Sequence, residues 1–478
     1  MMPKPETWLQ CGQFGRVAVP ILLSACTLQS YQPATVDADA AAAAYLDRRT
    51  DDPGLRAYMS SHGHAGTDWP VRRWGLDELT LLAFYYHPDL EVARARAGEA
   101  RVQAQPAAYR LPWGVSPRLE HHSRTPEHTG SPWSLGFEVH IPLAGGSRQQ
   151  ALADRAEYLA QAAELEVGGT AWRVRSRVRS RMLALRAARE SMELLERDLE
   201  ARRSLVTLLE RRLAAGYAAT TEVAVARLRL HEAEGELAGA QTAAARAIGE
   251  LSAAVAVPIE TLRSIQLDFS RLDTLPDAVA EREARSEALR NRVDMRQRLL
   301  EFAAADAGVK LEIARQYPTV ALRPGYLWDQ GDNVWSLAVD LVAPPVLGNA
   351  PAIQAAQARR ETAVQIALRD QAAIIAETDT ALAAYRQSVA GATAAHQASL
   401  TQLARSEQAQ KQFDAGYVDR IEATQARLEA IAVERNAQRA RADAQHALGR
   451  LEDALQRPLA GGPVPVYAPP FPPESAAQ

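Results

Sequence analysis

Residues 212–259 read RLAAGYAATTEVAVARLRLHEAEGELAGAQTAAARAIGELSAAVAVPI, and residues 412–459 read QFDAGYVDRIEATQARLEAIAVERNAQRARADAQHALGRLEDALQRPL. The two stretches align without gaps at a single step of 200: Gly216 on Gly416, Tyr217 on Tyr417, Glu222 on Glu422, Arg227 on Arg427, Gly249 on Gly449 and Pro258 on Pro458. A repeat of this kind has to be read before any single element, because it sets the plan of the fold. Each copy opens at a glycine-marked turn and continues as an alanine-rich, proline-free helix. A second long helical stretch lies upstream of each turn. The chain is therefore read as two tandem helical hairpins.

Upstream of the first turn, no proline occurs from Ser147 to Val257. Two helices fit, at roughly 147–214 and 220–256, joined at Ala215-Gly216-Tyr217, where glycine supplies the left-handed conformation that ends a helix. At 1.5 Å per residue the first would be about 100 Å long. Gly168-Gly169 is expected to bend it. The second copy has a proline-free run from Ala352 to Arg457, split in the same way at Ala415-Gly416-Tyr417.

Ahead of each long pair the hydrophobic period changes to two. In Trp133-Ser134-Leu135-Gly136-Phe137-Glu138-Val139-His140-Ile141 the odd positions are apolar and the even ones polar or small. Trp335, Leu337, Val339 and Leu341 repeat that alternation. Strict alternation over about nine residues gives a two-faced strand of the length a tilted transmembrane β-strand needs. Partner strands precede both, Trp113–Glu120 across a polar link at Thr125–Ser131, and Val320–Trp328 across the turn 329–333. Trp133, Leu135, Phe137, Val139, Trp335, Leu337 and Val339 are the expected lipid-facing set. A soluble hairpin packed by its apolar face is the competing reading.

The first repeat is placed at 75–259 (strands about 113–143, long helices about 147–256). Its opening, LDELTLLAFYYHPDLEVARARAGEARVQ, reads as two helices broken around His87-Pro88. A linker is placed at 260–284. The second repeat, 285–460, has a helix at about 285–315, strands about 319–342 and long helices about 352–457. A proline-rich tail at 461–478 reads as disordered.

The N-terminus carries a compartment signal. Lys4 and Arg16 precede a short apolar run, Val17–Leu23, followed by Ser24, Ala25 and Cys26. A run this short, ending in small residues, marks residues 1–25 as a signal peptide. Leu23-Ser24-Ala25-Cys26 resembles the bacterial lipobox, which makes Cys26 the candidate lipidation site; an ordinary cleaved signal peptide is the plainer reading. Thr27 stands where, by analogy, an aspartate would hold a lipoprotein at the inner membrane. Residues 26–74 read as a tether from that anchor. The only other cysteine is Cys11, so no disulfide framework is expected.

No later segment offers the 18 or so apolar residues of a membrane helix, so a membrane could be crossed only by β-strands. One chain supplies about four, whereas closed barrels need about eight or more. The chain must therefore associate with copies of itself. Three copies would give about twelve strands and a tube of about twelve long helices. Helix positions dominated by alanine suit such close side-by-side packing.

Taken together, these features resemble a known family over about residues 75–460: the TolC-like outer-membrane efflux proteins, especially their lipidated branch. The residues carrying the likeness are the duplicated hairpin, the AGY turns at 215–217 and 415–417, His87-Pro88-Asp89-Leu90, and Ile141–Gly146 leaving the first hairpin. The resemblance implies a mainly α protein with transmembrane β-strands, forming a homotrimeric β-barrel continued by a periplasmic α-helical barrel. It implies the exit duct of a tripartite efflux system, lipid-anchored in the outer membrane. The duct would pass substrate from an inner-membrane transporter and its periplasmic membrane-fusion adaptor. It also implies an acidic periplasmic gate just after the second glycine turn, which falls on Glu422. The second acidic position of well-known members is Gln425 here, and Glu222 is the counterpart in the first copy. Gly216, Tyr217, Gly416 and Tyr417 would form the adaptor-contact tip. A solvated helix residue, or glycine acting only as a helix stop, is the plainer reading of each.

Other classes are disfavoured. Net charge is −4, so no general attraction to nucleic acid is implied. Arg173, Arg175, Arg177, Arg179 and Arg181 alternate in a helix and are expected to spread around it, solvated or paired with acidic neighbours. His62, His64, His121, His122, His128 and His140 show no strong metal-ligand spacing, and no metal or cofactor is expected. No nucleophile–base set or phosphate loop appears, so an enzyme is not expected. The rival of a different class is a structural or adaptor lipoprotein with coiled-coil hairpins and no pore. The transported substrate is not legible.

Overall fold

The structure is a computed structural model. It describes residues 31–459 apart from 32, 64–68, 106–112, 124–130, 144–145, 278 and 343–348. The expected signal peptide, Cys26, His64, His128 and the proline-rich tail lie outside the described residues.

The chain divides into two compact units, residues 1–45 and 46–478. The first contributes most of an alanine-rich helix, α1 (Ala38–Leu46), with no buried residue. The second holds everything else. In order, it runs α2 (Pro53–Ser61), β1 (Arg73–Trp74), α3 (Leu76–Tyr86), α4 (Pro88–Gln103), β2 (Gly114–His121), β3 (Trp133–Leu143), α5 (Gly146–Ala214) and α6 (Thr220–Val255). Then follow α7 (Ile259–Arg263), β4 (Gln266–Leu267), a 3-10 turn at Ser270–Leu272, α8 (Glu281–Asn291), α9 (Val293–Ala314), β5 (Thr319–Asp329), β6 (Asp332–Val342), α10 (Ala350–Asp414) and α11 (Arg420–Leu455).

The step of 200 governs the packing as well as the sequence. Around α5 and α6 the core takes Val174, Val178, Met182, Leu185, Leu251 and Val255. Around α10 and α11 it takes Ile374, Leu382, Tyr385, Leu451 and Leu455. Thr378 stands where Val178 does, fully buried, and it donates to the Ile374 carbonyl, which satisfies its hydroxyl. The repeat extends to the helix ends. Ala256 and Gln456, 200 apart, both adopt positive φ (62° and 45°). Val257 N–H and Arg457 N–H reach back to the carbonyls of Ser252 and Glu452, the 6→1 bond that closes a helix C-terminus.

Both cores sit in the middle of α5 and α10 and at the C-terminal ends of α6 and α11. Towards the glycine turns the buried positions thin out to alanine, with scattered Val and Ile. Small residues let helices approach closely but supply little apolar area each.

Four expectations need correction. Gly168 and Gly169 do not break α5, which runs as one helix through them. A Cβ on Gly169 would stand 3.5 Å from Val293 Cγ1, so this glycine is where α9 packs close against α5. Residues 26–74 are more than a tether: α2 buries Leu55 and Met59, and β1 pairs in parallel with β4. The same pairing makes 260–284 a packed segment, with Leu262 and Leu272 buried, and not a loose linker. The single helix at about 285–315 is two, broken at Arg292 as the first repeat is broken at His87. Both residues have extended backbone (ψ 123° and 122°). Without a proline there, the second break had no local signal.

The strands make one antiparallel sheet in the order β2-β3-β5-β6. The β3–β5 pairing, Ser134↔Asp329 to Leu143↔Val320, joins the two repeats. Among the described residues the outer strands β2 and β6 each leave one edge without a partner. No described helix is long and apolar enough to cross a membrane.

Candidate functional site

The sheet register sorts side chains into two faces, because residues opposite one another across a ladder share a face. One face carries Val115, Leu119, Trp133, Leu135, Phe137, Val139, Leu322, Tyr326, Trp335, Leu337 and Val339. Most of these are exposed: Leu135 is 58% accessible, Leu337 69% and Trp335 77%. Val139, expected among them, shares the face but is half-buried. Aromatic rings gather at the end where both hairpins turn: His121 lies edge-on to Trp133, and Tyr326 packs on Trp335. Trp113 and Tyr317 stand exposed at the opposite end. An exposed apolar band between aromatic residues is the pattern carried by the outer surface of membrane barrels.

The other face is polar. Arg323 donates to Asp340 at 2.6 Å, and Glu138 and His140 lie beside this pair, at 3.9 Å from Arg323 and from Asp340 respectively. Arg118 pairs with Glu120 at 2.6 Å. Towards the turns, Ser134 bonds Asp329 and also meets His122 Nε2 at 3.0 Å. Serine, histidine and aspartate therefore meet, but Asp329 faces the same Nε2 as the serine, 3.5 Å away. A triad needs the carboxylate on the other ring nitrogen. Among the described residues no group of His, Cys, Asp and Glu is arranged to hold a metal ion; His62 instead meets the Tyr58 carbonyl at 2.8 Å.

At the far ends of the long helices the two glycine turns are copies of one device. Gly216 and Gly416 both have φ +79°. Tyr217 N–H bonds the Arg212 carbonyl and Tyr417 N–H that of Gln412, each at 2.8 Å. The turns push Tyr217 and Tyr417 outward, 80% and 83% accessible. Asp419 caps α11 by accepting from Glu422 N–H at 2.9 Å, whereas Ala219 offers α6 no side-chain cap. Asp419 also reaches Arg212 of the first hairpin at 3.5 Å, which ties one tip to the other. Glu222 and Glu422 lie exposed in the first turns of α6 and α11, and Gln425 is exposed one turn further along.

The alternating arginines resolve into two stripes. Residues four apart share a helix face, and alternate residues lie about 200° apart. Arg173, Arg177 and Arg181 face outward and pair with Glu166, Asp89 and Glu250. Arg175 and Arg179 are buried and converge on Glu452 of α11, at 3.5 and 3.4 Å. Arg179 also donates to the Gln445 carbonyl and side chain, both at 2.9 Å. Next to them Asp453 accepts from Trp172 Nε1 at 2.9 Å and Ser176 Oγ at 2.7 Å.

This buried network bolts the first repeat to the second. Burial lowers the Arg179 pKa against the opposing pull of Glu452, and it raises that of Asp453. It also pushes the Tyr385 hydroxyl up to about 12. Sequence reading missed the bolt because its acidic half lies more than 270 residues away. The available signal was the spacing of four within the arginine run.

Residues 86–257 match the family model described as outer membrane efflux protein. No curated protein matches the chain. Solved structures do match. VceC, an outer membrane protein of Vibrio cholerae, is 20% identical with a TM-score of 0.65, the match covering 81% of this chain and 96% of that one. The outer-membrane channel OprN is 19% identical with a TM-score of 0.65, covering 91% and 99%. The open state of the MtrE outer membrane channel of Neisseria gonorrhoeae is 19% identical with a TM-score of 0.63, covering 80% and 89%. Residues 86–257 therefore resemble the outer membrane efflux protein family, and the chain shares the fold of these outer membrane proteins, mainly helical with a small antiparallel sheet.

Proposed function

We propose that this chain, with its resemblance to the outer membrane efflux protein family and the fold it shares with these proteins, is the outer-membrane exit duct of a tripartite efflux system. One observation carries the reading: a four-stranded sheet with an apolar outer face, a polar inner face and two unpaired edges, continued by two long helical hairpins. Unpaired edges cannot be left in lipid. Closure by three copies gives about twelve strands, with the polar faces lining water.

Transport through the duct is passive. Energy comes from an inner-membrane transporter, reached through a periplasmic adaptor that contacts Tyr217 and Tyr417 at the tips. Cys26 carries the lipid anchor in the outer membrane. Glu422 from each copy forms an acidic ring at the tip, with Gln425 one turn further along and Glu222 alongside. A carboxylate ring in a narrow pore concentrates cations and repels its own members.

Purified protein in a planar bilayer tests this. Wild type is expected to give discrete openings, and Glu422→Ala to lower cation preference by about twofold or more. Openings indifferent to the substitution would remove Glu422 from the gate. A monodisperse protein without openings would remove the channel.

A further inference from the structure

The tip is not the only charged ring that the fold builds. On the polar face of the sheet stand five carboxylates, Glu120, Glu138, Asp329, Asp332 and Asp340, against two guanidinium groups, Arg118 and Arg323; Asp332 lies at the turn end, opposite Asp329. With neutral histidines, two positive against five negative groups leave this face a net −3 per chain. Two of the carboxylates are neutralised at short range, Glu120 by Arg118 and Asp340 by Arg323. Asp329 is held by Ser134 beside His122. Glu138 stands apart, with its nearest cation Arg323 at 3.9 Å.

Arg323 is thus the one guanidinium between Glu138 and Asp340. It reaches them across two strand pairings, β3–β5 and β5–β6. Opposite Glu138 on β2 is Ser116 and opposite His140 is Gly114, so β2 adds no formal charge at this level. Asp340 is opposite Ala321 and Arg323 is opposite Ala338, so small residues surround the group and leave its charges facing open space.

We infer that Arg323, Glu138 and Asp340 form a second charge filter, inside the β-barrel and separate from the tip, in which Arg323 sets how strongly the pore prefers cations. The inference rests on the channel reading. Repetition around a closed barrel turns one uncompensated carboxylate per chain into a ring, and low-dielectric walls focus its field on the ions passing through. Arg323 damps that field. Without it, Asp340 and Glu138 both face the water bare. Without either carboxylate, the ring approaches neutrality or becomes positive.

The test is the reversal potential of single channels under a potassium chloride gradient. Arg323→Gln is expected to raise the cation-to-anion permeability ratio by about twofold or more, and Glu138→Gln and Asp340→Asn each to lower it by a similar factor. Arg323→Lys keeps the charge and is expected to stay near wild type, which separates charge from any effect on folding. Repeating Arg323→Gln in the Glu422→Ala background is expected to give the same fold-change, because the rings act at different heights. Ratios for Arg323→Gln, Glu138→Gln and Asp340→Asn that all match wild type would overturn the filter while leaving the channel intact. Absence of openings in wild type and variants alike would overturn the channel reading and the filter with it.

Discussion

Glu452→Ala is expected to cost about 3–5 kcal/mol, because removing one partner from a buried ion pair leaves the other charge uncompensated. Here it leaves two: Arg175 and Arg179 are both about 95% buried and share this one carboxylate. Arg179 keeps its bonds to Gln445, but these acceptors are neutral. The loss should appear as a lower midpoint of denaturant unfolding for the detergent-solubilised protein. Replacing the trio together, by Arg175→Met, Arg179→Met and Glu452→Leu, should recover much of it, since a buried pair contributes little over apolar residues of similar volume. A midpoint for Glu452→Ala within about 0.5 kcal/mol of wild type would contradict the bolt.

Leu337→Arg is the second large effect. Leu337 is opposite Pro324 on the apolar face of the sheet and is 69% accessible in the single chain. An arginine on the lipid face of a barrel costs about 2–4 kcal/mol near the bilayer midplane, while the same change on the inner face is tolerated. Ser116→Arg supplies that comparison, because Ser116 is exposed on the polar face opposite Glu138. The yield of assembled protein in the outer-membrane fraction should fall sharply for Leu337→Arg and hold for Ser116→Arg. Equal yields would mean that the apolar face does not meet lipid.

The parts of the fold legible in the sequence were those with a short-range signal. Alternation in 133–141 and 335–341 sorts the strand faces, since the period of two belongs to the backbone itself. Glycine at 216 and 416 marks the turns because a Schellman end requires positive φ. What escaped depends on distant partners. Gly168-Gly169 reads locally as a flaw, yet the helix continues through it, and Gly169 lies against Val293 from more than a hundred residues away. Residues 53–61 lack a long hydrophobic period, yet two apolar side chains one helical turn apart, Leu55 and Met59, suffice once a core exists to receive them. The helix break at Arg292 has no proline; it is held by Arg292 pairing with Asp294 and with Glu377 of α10.

The charged site divides in the same way. Glu422 and Gln425 were placed by the family resemblance, and Glu222 by the step of 200 from Glu422. The group of Arg323, Asp340, Glu138 and His140 exists only through the strand register and has no motif of its own.

The most direct test of the account is the mass of the purified, folded protein in detergent, measured by light scattering with the detergent contribution subtracted. One chain supplies four strands of this sheet and leaves both outer edges open, so the account predicts the mass of three chains. A monodisperse single chain with native helical content would contradict it, because four strands cannot close a pore in a membrane.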